Sequence, residues 1–183
     1  MKLVSGSNSF NQEPVLKEIR KIARGGPIEI LDLGIGAGIF GQLLRKNFAS
    51  SRIVGVEIWG KNENALWKNY DKVFIEDIRK FVKNSHKYDI ILLMDVLEHL
   101  NNKEEGMTVL KSVIKIARKA VIISMPISSY PQPPCENPFE AHNYFFTEKE
   151  LRGMGMKKIR SKFALISQFP FISRLGVFVL EKK

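Results

Sequence analysis

The chain has 183 residues, of which 44% are hydrophobic and 26% charged, so its length suits a single globular domain. It has no apolar run near the roughly eighteen residues of a membrane span and no export-type N-terminus, so we expect a cytoplasmic protein without membrane contact. Its one cysteine, Cys135, excludes an internal disulfide and a zinc–thiolate cluster.

The chain is strongly basic, with 29 Lys and Arg against 19 Asp and Glu and a net charge of +10. Such an excess attracts polyanions through a screened, non-specific field. The basic residues are spread along the chain, at 17–24, 111–119 and 157–162, and form no block of like charge. This spread favours a solvated exterior and leaves a nucleic-acid surface as the alternative.

The predicted elements begin with an amphipathic helix over residues 14–24, where apolar side chains recur at helical spacing. The sequence Gly-Gly-Pro at 25–27 ends this helix. A short apolar run at 28–33 then predicts a strand. A glycine cluster separates this strand from a second helix, which carries Phe40, Leu43 and Leu44, so the pattern is strand, tight loop and helix.

Strands and helices continue to alternate along the chain. Further strands are predicted at 52–57, 72–75, 88–94 and 119–125, and helices near 61–69, 78–84 and 103–117. The strands at 88–94 and 119–125 are nearly continuous apolar runs, which is typical of strands buried on both faces. The alternation therefore predicts a parallel sheet covered by helices on both sides.

The segment at 126–146 is rich in proline and is predicted to be a long loop that serves as a lid or substrate loop. Thr147 follows as the N-cap of a short helix. Two strand-like runs, 157–166 and 175–180, then lie close enough in sequence to form an antiparallel pair.

The strongest functional signal is ILDLGIGAG at residues 30–38, where the first strand gives way to a helix. Glycines at such a turn let the backbone bend sharply and let a ligand approach the free N–H groups of the helix start. Gly36, Gly38 and Gly41 also match the Gly-x-Gly-x-x-Gly pattern of dinucleotide sites, so neighbouring residues must decide between ligands.

Carboxylates follow the strands. Glu57 ends the second strand and offers two acceptor oxygens to a ribose diol. Asp77 follows the third strand and can accept from an exocyclic amine, while Ile78 can pack on a purine, and Asp95 follows the fourth strand. With Asp32, these groups should converge at one edge of the sheet, where a cationic sulfonium nucleoside fits better than a pyrophosphate.

These motifs resemble those of the class I S-adenosylmethionine-dependent methyltransferases. LDLGIGAG resembles their glycine-rich cofactor motif, VGVEI their ribose-binding strand end, IEDI their adenine-binding segment, and YDIILLMDVLEHL their fourth strand. The resemblance implies S-adenosylmethionine as cofactor and one methyltransferase domain over residues 1–183. It also implies an α/β fold: a doubly wound, mostly parallel, seven-stranded Rossmann-like sheet with an antiparallel last strand and helices on both faces.

By this resemblance, Asp32 anchors the methionine amine through solvent, Glu57 takes the ribose hydroxyls and Asp77 takes the adenine amine. The cofactor-binding residues so predicted are Asp32, Gly34, Gly36, Gly38, Glu57, Ile58, Asp77, Ile78 and Asp95. The alternative is that these carboxylates only cap helices or end strands. A nicotinamide dehydrogenase is disfavoured, since the residues left after the nucleotide-binding elements are too few for a usual second domain.

The predicted catalytic residues are His99 and His142, either of which could act as a base if the acceptor carries a proton. His86 lies in a polar connection and is predicted to be an exposed loop residue. No metal ligand is predicted. One alternative stays open. The spacing i, i+3 and i+4 relates Asp95, Glu98 and His99. With His142 they are similar to the metal site of small-RNA 2′-O-methyltransferases, in which a glutamate stands at the position of Asp95.

The sequence thus predicts methyl transfer from S-adenosylmethionine to an unidentified acceptor, with a small molecule favoured. An RNA methyltransferase, including a metal-assisted 2′-O enzyme, and a non-catalytic cofactor-binding protein are the alternatives. We expect a monomer or homodimer. An RNA enzyme should place Lys and Arg around the rim of the crevice, whereas a small-molecule enzyme should roof it with the proline-rich loop.

Overall fold

The computed structural model describes residues 9–129, 136–165 and 172–182. The helices are α1 (Ser9–Ala23), α2 (Ile39–Asn47), α3 (Ile78–Asn84), α4 (Lys103–Ile116) and α5 (Glu148–Gly153). The strands are β1 (Glu29–Leu33), β2 (Arg52–Glu57), β3 (Lys72–Ile75), β4 (Tyr88–Met94), β5 (Ala117–Pro126), β6 (Lys157–Leu165) and β7 (Ile172–Glu181).

The strands form one seven-stranded sheet in the order β3-β2-β1-β4-β5-β7-β6. Neighbours among β1 to β5 pair in parallel, and β7 is antiparallel to both β5 and β6. The predicted fold class is therefore confirmed. The terminal pair is antiparallel as predicted, and β7 inserts between β5 and β6.

Helices cover both faces of the sheet, as the apolar strands predicted. Leu92 and Ile122 point to one face, where they pack in a cluster with Val15 and Ile19 of α1 and Leu44 of α2. On the opposite face, neighbouring residues of β4 and β5 pack against α3 and α4. Because the central strands are buried on both sides, they carry almost no polar side chains.

The strand order reverses between β1 and β4. From β1 the chain proceeds outwards to β2 and β3, then returns to β4 on the other side of β1. In open parallel sheets the loops that leave the two strands at such a point diverge and leave a crevice at the carboxyl ends. The sequence motifs follow β1, β2, β3 and β4, so this topology brings them to the same edge.

Several boundaries differ from the predicted ones, and three of the differences are described here. Helix α1 begins at Ser9 and includes Pro14, which the sequence suggested as its start. The helix predicted near 61–69 is instead two short 3-10 segments, Gly60–Asn62 and Ala65–Asn69. The Asn64 side chain accepts from Leu66 N at 2.8 Å and so begins the second segment, which is a common use of asparagine. Strand β7 starts at Ile172, before the predicted residue 175.

Among the described residues, no helix combines the length and the apolar character that a bilayer crossing requires.

Candidate functional site

A crevice of about 340 Å³ opens at the carboxyl ends of the parallel strands, at the point where the strand order reverses. Its size lies in the range of small-molecule sites. The predicted residues that line it are Asp32, Gly34, Gly36, Glu57, Ile58, Asp77, Ile78, Asp95, His99 and His142. Gly38 lies outside the lining, at the N-cap of α2, where it forms the turn between β1 and the helix.

The glycine loop after β1 is shaped by its backbone. Gly34 has a φ of +75°, and a Cβ there would lie 2.6 Å from Cγ2 of Val96, so a larger residue would force β1 and the loop after β4 apart. Gly34 N donates to Val56 O at 2.8 Å, which fixes the loop to β2. The loop therefore forms a tight wall between two strand ends.

Asp32 is 2% exposed at the base of the crevice, and the Tyr70 hydroxyl donates to its Oδ2 at 2.7 Å. Gly41 N in turn donates to the Tyr70 hydroxyl at 2.9 Å. Burial raises the pKa of Asp32 to about 7, against the lowering effect of the Tyr70 bond. The sequence analysis missed Tyr70. The third glycine of the motif was the available signal, because a Cβ at Gly41 would overlap the Tyr70 ring.

Glu57 connects the end of β2 to the glycine loop. Its carboxylate accepts from Gly36 N at 2.7 Å and from Trp59 N at 2.8 Å, and the residue is 5% exposed. Burial raises the pKa of Glu57, and these two backbone donors partly offset that rise. The Trp67 indole donates to Gly36 O at 2.9 Å, so Gly36 is held from both sides.

Asp77 is the N-cap of α3 and also lines the crevice. Its Oδ1 accepts from Arg79 N at 2.8 Å, and the Arg79 guanidinium binds both carboxylate oxygens. Burial opposes ionisation, but these Arg79 bonds outweigh it and lower the pKa of Asp77. Arg79 also bonds Glu105 at 3.0 Å. The capping role weighed for Asp77 is thus present together with its place in the crevice.

Asp95 follows β4 in a strained conformation, with a φ of +58°. Such backbone strain is common at functional sites. Ser124 Oγ donates to Asp95 Oδ1 at 2.8 Å, and Asn11 Nδ2 lies 2.8 Å from the same Ser124 oxygen. Asn11 belongs to the first turns of α1, which the sequence analysis placed outside the helix. The chain then forms a short 3-10 turn at Leu97–His99, which does not include Asp95.

Glu98 is fully buried within the wall of the crevice, and neither carboxylate oxygen has a hydrogen-bond partner among the described residues. Burial raises its pKa well above the usual range, and the charges of Asp95 and Glu140 act in the same direction. A buried acid without a partner is rare in folded proteins.

The two histidines predicted as catalytic meet at the same end of the crevice. The rings of His99 and His142 are 4.8 Å apart between centroids, in an edge-to-face arrangement. His99 Nδ1 lies 3.2 Å from Ala141 O. His86 is exposed, as predicted, and its Nε2 lies 3.0 Å from Glu29 Oε1, outside the crevice lining.

Residues 136–142, called here the covering segment, place Asn137, Phe139, Glu140 and His142 in the lining. Asn143 attaches the segment to the turn after β4: its N donates to Glu98 O at 2.9 Å and its Nδ2 to Leu100 O at 3.0 Å. Phe139 is the aromatic residue of this segment in the lining. The rings of Tyr144 and Phe146, just after the segment, pack in the core with 5.4 Å between their centroids.

Comparison with known proteins agrees with this geometry. Residues 8–157 match a family model described as a methyltransferase domain. Ubiquinone biosynthesis O-methyltransferases from two strains of Rickettsia bellii are 30% identical over 102 residues, which is 52% of this chain and 41% of each relative. The chain therefore matches less than half the length of these curated relatives.

Solved structures share the fold at low identity. The N-methyltransferase NodS from Bradyrhizobium japonicum WM9 has a TM-score of 0.59 and 15% identity, with 94% of this chain and 97% of that chain covered. The 1,6-didemethyltoxoflavin-N1-methyltransferase of Burkholderia thailandensis has a TM-score of 0.61 and 17% identity, with 94% and 78% covered. The family model and the strand order together show that this chain belongs to the methyltransferase-domain family, among the class I enzymes that use S-adenosylmethionine.

Proposed function

We propose that the chain transfers a methyl group from S-adenosylmethionine to a small-molecule acceptor that carries a protonated oxygen or nitrogen. The observation that carries the proposal is one crevice lined by two chemically different groups of side chains. Asp32, Glu57 and Asp77 form one group, called here the cofactor half. Glu98, His99 and His142 form the other, called the acceptor half.

The cofactor half fits S-adenosylmethionine in charge and in shape. Asp32 and Glu57 lie beside the glycine loop, where a carboxylate attracts an ammonium group and accepts from ribose hydroxyls. Ile78 lines the crevice next to Asp77 and offers an apolar contact to a flat base. When bound, S-adenosylmethionine supplies a methyl group on a sulfonium, whose neutral thioether is a good leaving group.

The acceptor half positions and deprotonates the acceptor. Holding a nucleophile in line with the methyl carbon supplies effective concentration, which is much of what this reaction requires. The acceptor atom forms a bond to the methyl carbon as the carbon–sulfur bond breaks, and His142 or His99 takes the acceptor's proton.

The lining of the crevice favours a small acceptor over RNA. Among the described lining residues, Arg79 is the sole Lys or Arg, and it already bonds Asp77 and Glu105. A polyanion would meet carboxylates there instead of cations. The covering segment also contributes four side chains to the lining, which supports a small acceptor held within the crevice. We retain residues 126–146 as the lid or substrate loop and residues 1–183 as one methyltransferase domain.

The names of similar proteins support the same acceptor class. The Rickettsia bellii relatives are named for ubiquinone biosynthesis, and the Burkholderia thailandensis structure contains bound 1,6-didemethyltoxoflavin and S-adenosylhomocysteine. Ubiquinone and 1,6-didemethyltoxoflavin are both small molecules.

The proposal is tested by incubating the protein with methyl-labelled S-adenosylmethionine and a cell extract split into metabolite, RNA and protein fractions. We expect label in the metabolite fraction with the wild type and none with Glu57→Ala. Label in the RNA or protein fraction would replace the proposed acceptor. If S-adenosylhomocysteine binds by calorimetry but no fraction is labelled, the chain is a cofactor-binding protein without catalysis.

A further inference from the structure

We propose that Glu140 recognises the positive charge of the cofactor's sulfonium group, so that the crevice holds S-adenosylmethionine more tightly than the neutral product S-adenosylhomocysteine. Glu140 belongs to the covering segment, and its side chain lines the crevice. The sequence analysis did not predict it as a binding residue. The inference rests on the proposed function and adds to it the residue that distinguishes the cofactor from its product.

The covering segment connects two of the loops that form the crevice. On one side of Glu140 in sequence, the Phe139 ring lies edge-to-face with the ring of Trp59 in the loop after β2, with 5.9 Å between centroids. On the other side, Asn143 N donates to Glu98 O at 2.9 Å. Glu140 therefore lies on the stretch of chain that joins the loop after β2 to the turn after β4.

The charge of Glu140 acts on one carboxyl group of each half. Burial is the main reason that the pKa values of Glu57 and Glu98 are raised, and the charge of Glu140 raises both further, as Asp95 does for Glu98. Because the interaction between two charges weakens with distance, Glu140 lies near both groups. The sulfonium has to lie where the cofactor meets the acceptor, since its methyl group is transferred there. Glu140 is thus beside the position that the reaction requires for the sulfonium.

The lining as a whole favours a cationic ligand, since Arg79 is the sole Lys or Arg among its described residues. The acidic side chains of the lining are Asp32, Glu57, Asp77, Asp95, Glu98 and Glu140. Asp32 and Glu57 are assigned above to the ammonium group and the ribose, and Arg79 compensates the charge of Asp77. Three acidic residues then remain for the sulfonium.

Two of these three are less suited to hold the sulfonium. Ser124 Oγ in β5, outside the lining, donates to Asp95 Oδ1 at 2.8 Å and holds that carboxylate against the sheet. Burial and the charges of Asp95 and Glu140 oppose the ionisation of Glu98. Glu140 is only half-buried, and Asn137 Nδ2 donates to its Oε1 at 3.1 Å, which restrains the carboxylate within the lining.

Recognition of this charge affects how product and cofactor exchange. Transfer of the methyl group breaks the carbon–sulfur bond, leaves a neutral thioether and passes the acceptor's proton to a histidine, as proposed above. The attraction between Glu140 and the sulfur is then lost. At equal concentrations of the two compounds, the crevice is therefore occupied mainly by S-adenosylmethionine, which limits inhibition by the product.

The test is calorimetric titration of the wild type and of Glu140→Gln with S-adenosylmethionine and with S-adenosylhomocysteine, in the absence of acceptor. Glutamine keeps the shape of the side chain and removes its charge. Glu140→Gln should bind S-adenosylmethionine about five- to tenfold more weakly, as expected for one partly buried charge pair, and S-adenosylhomocysteine within about twofold of wild type. Glu140→Lys should lower the affinity for S-adenosylmethionine further, because it replaces an attraction by a repulsion.

Glu136→Gln is the matched control. Glu136 lies in the same segment but is exposed and outside the lining, so both affinities should equal those of wild type. Because both ligands are titrated into the same preparation, partial unfolding of a variant would lower the number of sites per chain without changing the ratio of the two affinities.

The inference is overturned if Glu140→Gln weakens both ligands equally, since Glu140 would then contact a part that the two share, or if it changes neither affinity. An equal loss of preference in Glu136→Gln would overturn it too. S-adenosylhomocysteine binding separates the two proposals. If that ligand binds the wild type but not Glu57→Ala, and Glu140→Gln keeps the full preference, the proposed function stands and the role of Glu140 is wrong. If neither compound binds the wild type, the proposed function itself fails.

Discussion

The two halves of the crevice are both acidic, but they satisfy their carboxylates differently. In the cofactor half, Asp32 accepts from the Tyr70 hydroxyl and Glu57 accepts from two backbone amides. In the acceptor half, Glu98 is equally buried, but its oxygens have no partner among the residues that the structure describes.

In the cofactor half, internal hydrogen bonds therefore fix the two buried carboxylates without a ligand. In the acceptor half, no such bond among the described residues fixes the Glu98 carboxyl group. The following predictions test this contrast, from the largest expected effect to the smallest.

Glu57→Ala should have the largest effect, because it removes the proposed ribose acceptor and two internal hydrogen bonds to a charged group. A hydrogen bond from a ribose hydroxyl to the carboxylate contributes about 1.5–3 kcal/mol, and the two lost internal bonds also release the glycine loop. S-adenosylhomocysteine should therefore bind at least about 100-fold more weakly by calorimetry. Glu63→Ala, at an exposed glutamate outside the crevice lining, is the control and should bind normally. Unchanged affinity in Glu57→Ala and Asp32→Ala together would remove the cofactor half as defined here.

His142→Ala should affect only the acceptor half. Turnover should fall about 100-fold or more, as expected on loss of a proton-transferring group, while S-adenosylhomocysteine affinity stays within about twofold of wild type. Single-turnover kinetics and calorimetry on the same preparation measure the two quantities. Unaltered turnover would reduce His142 to a packing residue.

Gly41→Ala should destabilise the protein, although alanine is the better helix former. The new methyl group would overlap the Tyr70 ring, and overpacking of this kind costs about 1–3 kcal/mol. Denaturant unfolding measures the loss. Gly153→Ala is the matched control, because a Cβ there meets nothing within 4 Å, and its stability should be equal or slightly higher. Equal stability of both variants would mean that Tyr70 is not fixed by this contact.

Cofactor affinity should rise with pH. The pKa of Asp32 is about 7, so protonation at lower pH removes the charge that attracts the ammonium group of S-adenosylmethionine. Affinity should therefore fall about tenfold from pH 8 to pH 6, and the raised pKa of Glu57 acts in the same direction. Calorimetry across this range measures it, and Asp32→Asn should show a flatter profile than wild type.

The stability of the free protein should change in the opposite direction. Because folding raises the pKa of Asp32 from 3.8 to about 7, its contribution to stability is full below pH 3.8 and is lost as pH rises through about 7. Asp32→Asn should therefore be more stable than wild type at pH 8. Equal denaturation midpoints at pH 8 would contradict the burial of an ionised Asp32.

Tyr70→Phe should give the smallest change. The Tyr70 hydroxyl lowers the pKa of Asp32, so its loss should move the midpoint of the affinity profile to higher pH. Stability should fall by about 1 kcal/mol, since Gly41 N also loses its acceptor. Tyr88→Phe, at a buried tyrosine outside the crevice lining, should leave the midpoint unchanged.

Much of the fold could be predicted because the sequence repeats one pattern. The apolar run at 88–94 and the glycine loop at 34–38 are local features, and parallel pairing then places their ends together. The boundaries were less predictable. Residues 60–69 form 3-10 segments because the Asn64 side chain accepts from the backbone N–H of Leu66. The spacing of apolar residues does not predict this bond.

The candidate site could be predicted only where its residues follow strands. Eight of the nine predicted cofactor residues line the crevice for that reason. Tyr70 lies 38 residues from Asp32 in sequence, and Asn11 lies 84 residues from Asp95, so both contacts depend on tertiary packing. The choice of Phe139 over Tyr144 and Phe146 as a lining residue also depends on which side of the loop faces the core.

The attachment of residues 136–142 has a consequence for how such an enzyme can change its substrate. Asn143 donates to the carbonyl oxygens of Glu98, His99 and Leu100, which are present whatever side chains stand at those positions. Replacements at Asn137 or Phe139 can therefore reshape the binding wall while its anchorage persists. Selectivity can diverge here by single substitutions, without the fold being rebuilt each time.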